Sequence, residues 1–214
     1  MSTKAAEIAR ETTAATSVRN RRGGRNTREA ILDTAEELLQ RRGYNAFSYH
    51  HIAVQLGIRN AAIHYHFPSK EDLGIELVSR FRMRLAEWIE VLEEQESDPW
   101  ALLDAYFEFY LDYLDEGGRK ICFSGMLGAE FQAIPDGMRE EARQCMEQIL
   151  HWLVSVLERG EAAGRIRYEG PPEAKAVQLG AALQGGLQIA RVAGADRFRQ
   201  LIEQLRLELQ PNPI

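Results

Sequence analysis

Between Gly43 and Leu73 the chain is punctuated so closely that only short helices fit between the breaks. The segment reads GYNAFSYHHIAVQLGIRNAAIHYHFPSKEDL. Ser48 can cap a helix over YHHIAVQL, and Gly57 interrupts the pattern directly after Leu56. The next stretch, RNAAIHYHF, is stopped by Pro68, because the residue before a proline is biased away from helical backbone. Ile52, Ala53 and Leu56 then share one face of the first short helix, and Ala62, Ile63 and Phe67 one face of the second. A tight turn at Gly57-Ile58 joins them. This is helix-turn-helix spacing.

The flanks are helical as well. Ile31, Ala35, Leu38 and Leu39 recur at i, i+4, i+7 and i+8, with Thr27 as N-cap and Gly43 as stop. From Ser69, with Asp72 three residues on, an amphipathic helix is expected to about Gln95. Asp98-Pro99 opens an aromatic one to about Glu116, ended by Gly117-Gly118, and a shorter one covers Phe123 to Gln132. Pro135 starts a long helix to about Glu161, with Met138, Ala142, Cys145, Ile149, Trp152 and Val156 on one stripe. Pro171-Pro172 precedes a helix to Val192, and Phe198, Leu201, Ile202, Leu205 and Leu209 mark the last. Strand-like alternation and internal repeats are absent, so the fold class is all-α, with about nine helices.

Hydrophobic residues make up 45% and charged residues 27% of the 214, a globular balance. No apolar run is long enough for a membrane span. The opening residues lack the apolar stretch of a secretory signal, and two cysteines make no disulfide framework; a reducing cytoplasm is the expected compartment.

The net charge of −6 argues against a polyanionic partner until the chain is divided. Residues 1–70 hold 11 Lys and Arg against 6 Asp and Glu, whereas residues 71–214 hold 15 against 26. A basic first third on an acidic remainder is expected when one end meets a polyanion. Residues 1–26 read as a polar arm ending in Arg19, Arg21, Arg22 and Arg25, which either solubilises the chain or reaches a DNA groove or phosphate.

At Gly43-Tyr44, Ile52-Ala53, Leu56-Gly57-Ile58, Ile63 to His66 and Phe67-Pro68-Ser69-Lys70-Glu71-Asp72-Leu73, the sequence resembles the DNA-binding domain of TetR-family bacterial transcriptional regulators. The resemblance implies a basic arm (1–26), a helix-turn-helix domain (27–73) and a helical domain that dimerises and binds an inducer (74–214). Its implied activity is that of a ligand-responsive regulator, most often a repressor, released from a palindromic operator by a small molecule. Arg59 replaces the serine common at the start of the recognition helix. His64 stands where a tyrosine is usual, with Tyr65 following.

A short helix after a turn can enter the major groove with its first residues against base edges. Arg59 can pair bidentately with guanine and Asn60 with adenine; Ala61 and Ala62 keep the helix slim and can meet thymine methyls. His64 and Tyr65 can donate to phosphate, as can Ser48 at its helix start. Lys70 matches the family's backbone-contacting lysine. Tyr44, Ile52, Ile63 and Phe67 are expected in the core, and of His50 and His51 one should point outward and the other partly inward. Four histidines between residues 50 and 66 raise the question of a metal. Without cysteines nearby or a His/Glu pair at i, i+4, neither metal nor cofactor is expected.

Tyr106, Tyr110 and Tyr113 are expected to face Phe123, Met126, Phe131 and Trp152 around a small apolar ligand, the alternative being plain core. In LGAALQGGLQIA, Gly180, Ala181, Ala182, Gly185 and Gly186 allow close helix approach. With the last helix they resemble the family's homodimer interface, or else pack within the chain. The segment KICFSGMLGAE resembles the region of electrophile-sensing members with a responsive cysteine eight residues before a glutamate, here Cys122 and Glu130. Arg119 and Lys120 adjoin it; a buried cysteine acting as a small hydrophobe is the other reading. Cys145 lies on an apolar stripe and is expected to be inert. An enzyme would need a nucleophile, an acid/base pair or a phosphate loop, and none is found; His151 stands alone.

Overall fold

The computed structural model describes residues 27–115 and 121–211. The arm, with Arg19, Arg21, Arg22 and Arg25, and the Gly117–Lys120 stretch lie outside the described residues. Nine helices and no strand occur among those described: α1 (Thr27–Arg42), α2 (Tyr49–Leu56), α3 (Asn60–His66), α4 (Lys70–Gln95), α5 (Pro99–Asp115), α6 (Phe123–Ala129), α7 (Asp136–Ala162), α8 (Pro172–Ala193) and α9 (Ala195–Leu209). None is long and apolar enough to cross a membrane.

The expected stops operate through backbone geometry. Gly43 has φ +88° and Gly57 φ +67°, a region where a Cβ would clash. The Gly43 amide donates to the Leu39 carbonyl at 2.8 Å and that of Ile58 to the Ala53 carbonyl at 3.0 Å, so the last carbonyls of α1 and α2 keep partners. Ser69 and Asp72 cap α4 reciprocally. The Asp72 amide donates to Ser69 Oγ at 3.1 Å, while the Ser69 amide and hydroxyl donate to the Asp72 carboxylate at 2.9 and 2.7 Å. Such a box is worth on the order of 1 kcal/mol.

Two boundaries differ from expectation. Thr27 already belongs to α1 rather than capping it. α6 ends at Ala129, short of Gln132: the Glu130 amide still donates to the Met126 carbonyl at 3.2 Å, but the next residues turn, with the Ala133 amide on the Glu130 carbonyl at 2.7 Å.

The chain forms two compact units, with divisions inside α4 and α7. Of the described residues, the first takes 27–85 together with 121–146, so the unit that carries α1–α3 also holds the start of α4, α6 and the start of α7. Its core includes Ile31, Leu32, Leu39, Ile52, Ile63 and Leu77, with Phe81 stacked on Phe123 at 4.6 Å. Arg80 of α4 pairs with Glu29, Asp33 and Glu36 of α1, at 3.3, 2.9 and 2.6 Å, and Arg84 with Glu36.

The second unit holds the rest of α4 and α7 with α5, α8 and α9. Leu102, Phe107, Leu153, Val156, Leu183 and Phe198 are buried there. Arg206 of α9 bonds Asp104 and Glu108 of α5 at 2.6 and 2.7 Å. Gly186 gives α9 its close approach to α8, since a Cβ at that position would lie 2.5 Å from Leu201 Cδ2 and 2.6 Å from the Phe198 ring. A Cβ at Gly180 or Gly185 would meet nothing in this chain. The small residues of α8 thus divide between an internal contact and an open face.

Candidate nucleic-acid interface and ligand-binding helices

The exposed side of α2 and α3 is built from the core outward. Ile52 and Ile63 are fully buried and fix which sides of α2 and α3 face inward. Tyr44 and Phe67 are also core. Tyr49 is buried too, its hydroxyl proton shared between the Phe67 and Ser69 carbonyls at 2.9 and 2.5 Å. It thereby clamps the end of α3 to the start of α4. Burial, assisted by the charge of Asp72, pushes the Tyr49 phenol up to about 12, so it remains a donor throughout the neutral range.

With those sides locked, Arg59, Asn60, Ala61 and Tyr65 are left exposed and Ala62 half-buried. Tyr65 is 84% exposed, far more than an aromatic ring in a settled core. Ser48 stands exposed as the N-cap of α2. Its amide donates to His51 Nδ1 at 3.0 Å, so the imidazole takes the role of the capping-box carboxamide. Both His50 and His51 are exposed, which corrects the expectation that one points partly inward; Tyr49 and Ile52 fill the inward positions. No group of three or more histidine, cysteine or acidic residues suited to a metal ion occurs among the described residues.

Two of the expected contact residues have internal duties. His64 is exposed, yet its Nδ1 lies 3.2 Å from the Pro68 carbonyl oxygen and its ring meets that of Tyr49 edge-on at 4.7 Å. Lys70 donates to the Tyr44 and Phe47 carbonyls at 2.7 and 2.6 Å, beneath which the Tyr44 and Phe47 rings lie at 4.3 and 4.7 Å. Burial holds its ammonium below the ordinary lysine value, against the opposing pull of the Glu130 carboxylate. Two of the three N–H donors of Lys70 are therefore committed within the chain. Arg25 lies outside the described residues.

The expected ligand-contacting residues fall into two groups. Tyr106, Tyr110, Tyr113 and Trp152 belong to the second unit, where Tyr106 meets Tyr110 and Trp152 at 5.2 and 5.4 Å. Tyr113 meets Phe109 at 5.8 Å. The Trp152 indole N–H donates to Glu93 at 2.8 Å, which Arg159 also engages. Trp88 of α4 joins this cluster, 5.3 Å from Phe109 and 5.9 Å from Trp152. Its buried indole nitrogen has no hydrogen-bond partner among the described residues. Trp88 does not stand out in the sequence, where it is one more apolar position on a helical stripe, and Phe109 is one of several aromatics on α5.

Cys122, Phe123, Met126 and Phe131 belong to the first unit. Phe123 packs on Phe81, Met126 is buried, and the Arg143 guanidinium covers the Phe131 ring at 5.2 Å. Cys122 caps the start of α6, 2% exposed, with its sulfur 3.1 Å from the Ser124 hydroxyl. Burial pushes the Cys145 thiol up to about 12.

Similarity to known proteins runs the length of this architecture. Residues 31–77 match the family model for bacterial regulatory proteins of the tetR family, and residues 99–205 the tetracyclin repressor-like C-terminal domain. A TetR-family regulator from Agrobacterium tumefaciens has a solved structure 35% identical in sequence, with a TM-score of 0.81 over 86% of this chain and 97% of that one. A Legionella pneumophila TetR regulator is 32% identical, with a TM-score of 0.78 over 88% and 100%. Among curated proteins, the HTH-type transcriptional repressor DhaR of Mycobacterium sp. strain GP1 is 25% identical over 178 residues, 83% of this chain and 87% of its own length.

Proposed function

Because the chain belongs to the TetR family of bacterial transcriptional regulators, we propose that it is a repressor that binds a palindromic operator as a homodimer and leaves it when a small molecule binds. The observation that carries this reading is the exposed set Arg59, Asn60, Ala61 and Tyr65 on a helix whose opposite side is pinned by the buried Ile63. Arg59 and Asn60 are the base-reading residues, with Ala61 and Ala62 against thymine methyls. Ser48, Tyr65, His64 and Lys70 are the phosphate-side residues, and Arg25 extends the contact from the arm. The internal bonds of His64, Lys70 and Ser48 favour Tyr65 as the freest donor.

Support for a homodimer comes from α8. Val177, Ala181, Gly185, Ile189 and Val192 are all exposed and recur at i, i+4, i+8, i+12 and i+15, one continuous apolar and small-residue stripe. A stripe of that kind suits a second copy of the same helix across a two-fold axis. Two-fold heads about one DNA turn apart, roughly 34–36 Å, match a palindrome. Support for an aromatic ligand site comes from Tyr106, Tyr110, Tyr113 and Trp152 together with Trp88. Trp88 lies on α4 and joins this cluster within the same unit. The remaining group, Phe123, Met126 and Phe131, is better accounted for by its packing partners. A second mode, sensing through Cys122, draws on its place at the first turn of α6 beside the Ser124 hydroxyl.

The test is selection of genomic DNA fragments by the purified protein at fixed salt, read by sequencing. A recovered palindrome is expected, with Arg59→Ala weakening it by about 1–3 kcal/mol, roughly 5- to 150-fold, and relaxing one base position. Log affinity should fall linearly with log salt concentration. Enrichment of no sequence at low salt, by protein freed of bound ligand through denaturation and refolding, would refute the proposal.

A further inference from the structure

The loop Gly43–Phe47 is the chain's only covalent path from α1 into the helix-turn-helix, and it is gripped from two sides by opposite charges. On one side Lys70 takes its carbonyls at Tyr44 and Phe47. On the other, a carboxylate 86 residues away in sequence takes its amides: the Tyr44 N–H donates to Glu130 Oε2 at 2.5 Å and the Asn45 N–H to Oε1 at 3.4 Å. The Asn45 side chain adds a bond to the Ala133 carbonyl at 3.3 Å. Consecutive amides converging on one anion form a nest, and bonds to an ionised acceptor are about twice as strong as neutral ones.

The grip depends on an absent side chain. A Cβ on Gly43 would lie 2.7 Å from Glu130 Oε1 and 2.9 Å from its carboxyl carbon, so only glycine admits the carboxylate. The same short helix is also held at its other end, where the Ile121 amide donates to the Gln40 carbonyl at 3.2 Å. α6 is therefore bound, before its first turn and after its last, to the two ends of the Gln40–Asn45 stretch.

We infer that Glu130 is a positioning residue for DNA recognition, the latch by which the α6–α7 turn sets the orientation of α2 and α3. Rotation or shortening of α6 withdraws the carboxylate from the Tyr44 and Asn45 amides. The loop then keeps Lys70, the Tyr44 hydroxyl bond to the Lys70 carbonyl and the Asn45 side-chain bond, but the reading helices lose the charged one of the two anchors that fix their angle. This inference rests on the DNA-binding function proposed above.

The test compares the wild-type chain with Glu130→Gln, which keeps the side-chain shape and one acceptor but removes the charge, and with Gly43→Ala, which pushes the carboxylate away from the opposite side. Two measurements apply. In two-dimensional amide NMR, both variants should shift resonances throughout residues 49–66, with exchange at the Tyr44 and Asn45 amides at least tenfold faster. In binding to the selected operator fragment at fixed salt, Glu130→Gln should lose at least tenfold, while affinity for random-sequence DNA stays within twofold and melting stays cooperative. A residue that merely stabilises the fold would lower both affinities together. Shifts confined to residues 43–47, unchanged amide exchange, or an operator affinity within twofold of wild type would each overturn the latch. If the wild-type chain selects no DNA, the DNA-binding reading fails by itself, and the spread or confinement of the NMR shifts still decides whether Glu130 orients α2 and α3.

Discussion

Gly185 and Gly186 are neighbours on α8, and replacing each with alanine should move stability in opposite directions. Both substitutions fill a helix interior, where alanine is favoured over glycine by about 0.8–1.0 kcal/mol. At Gly185 the new methyl meets nothing within the chain, so in the monomer this gain stands alone, whereas in the proposed dimer the methyl falls on the α8 stripe that faces the second copy. At Gly186 it arrives 2.5 Å from Leu201 Cδ2 and 2.6–2.8 Å from two carbons of the Phe198 ring. The leucine methyl can swing aside, but Phe198 is fully buried, and overpacking of this kind costs about 1–3 kcal/mol. Because the propensity gain cancels in the comparison, the difference between the two variants isolates the overpacking. For a domain of this size each kcal/mol moves the melting temperature by about 2–4 °C. At a protein concentration low enough to keep the chain monomeric, Gly185→Ala should therefore melt a few degrees above the wild type, and at least about 2 °C above Gly186→Ala. Thermal melts followed by circular dichroism at two protein concentrations measure this and reveal any contribution from self-association. Equal melting temperatures for the two variants would mean that α9 does not approach α8 through Gly186.

Three further outcomes follow from the same contacts. Tyr49→Phe strips the shared proton from the Phe67 and Ser69 carbonyls and should cost about 1–2 kcal/mol in urea unfolding; an unchanged midpoint would remove Tyr49 from its clamping role. Cys145, with its thiol at about 12, should be labelled by iodoacetamide at pH 8 at least about a thousandfold more slowly in the native chain than in urea, since so little thiolate is present; peptide mass spectrometry reads the rates, and comparable labelling contradicts the burial. Asp98 is held below its ordinary value of 3.8 chiefly by the hydrogen bond from Arg165. A carboxyl depressed on folding stabilises above its unfolded value and loses that contribution as pH falls toward the folded one. Stability should thus drop more steeply below pH 3.8 in the wild type than in Arg165→Gln, and parallel pH profiles would sink the assignment.

The helix-turn-helix was legible because its determinants are local. Gly43 and Gly57 stop helices by backbone freedom, Ser69 and Asp72 cap α4 across three residues, and Pro68 ends α3. The exposure of Arg59 and Asn60 follows from a 3.6-residue period that points Ile63 inward. Less was readable wherever two residues compete for one partner far away in sequence. Nothing local tells that Lys70 turns back onto the Tyr44 and Phe47 carbonyls, or that the Trp88 indole N–H finds no partner among the described residues while Trp152 finds Glu93. The end of α6 escaped for the same reason: the pattern runs on to Gln132, while the chain turns after Glu130, whose carboxylate is taken by the amides of Tyr44 and Asn45.

Periodicity, caps and stops, all acting within about one helical turn, suffice to make this chain all-α and to place a helix-turn-helix at residues 49–66. Tertiary structure decided which of several equivalent side chains are used. It separated Gly186 from Gly185, committed Lys70 to the fold and left Tyr65 bare. Those outcomes depend on which surfaces meet once helices distant in sequence pack, and a pattern of period 3.6 fixes the face of a helix without fixing what that face will touch.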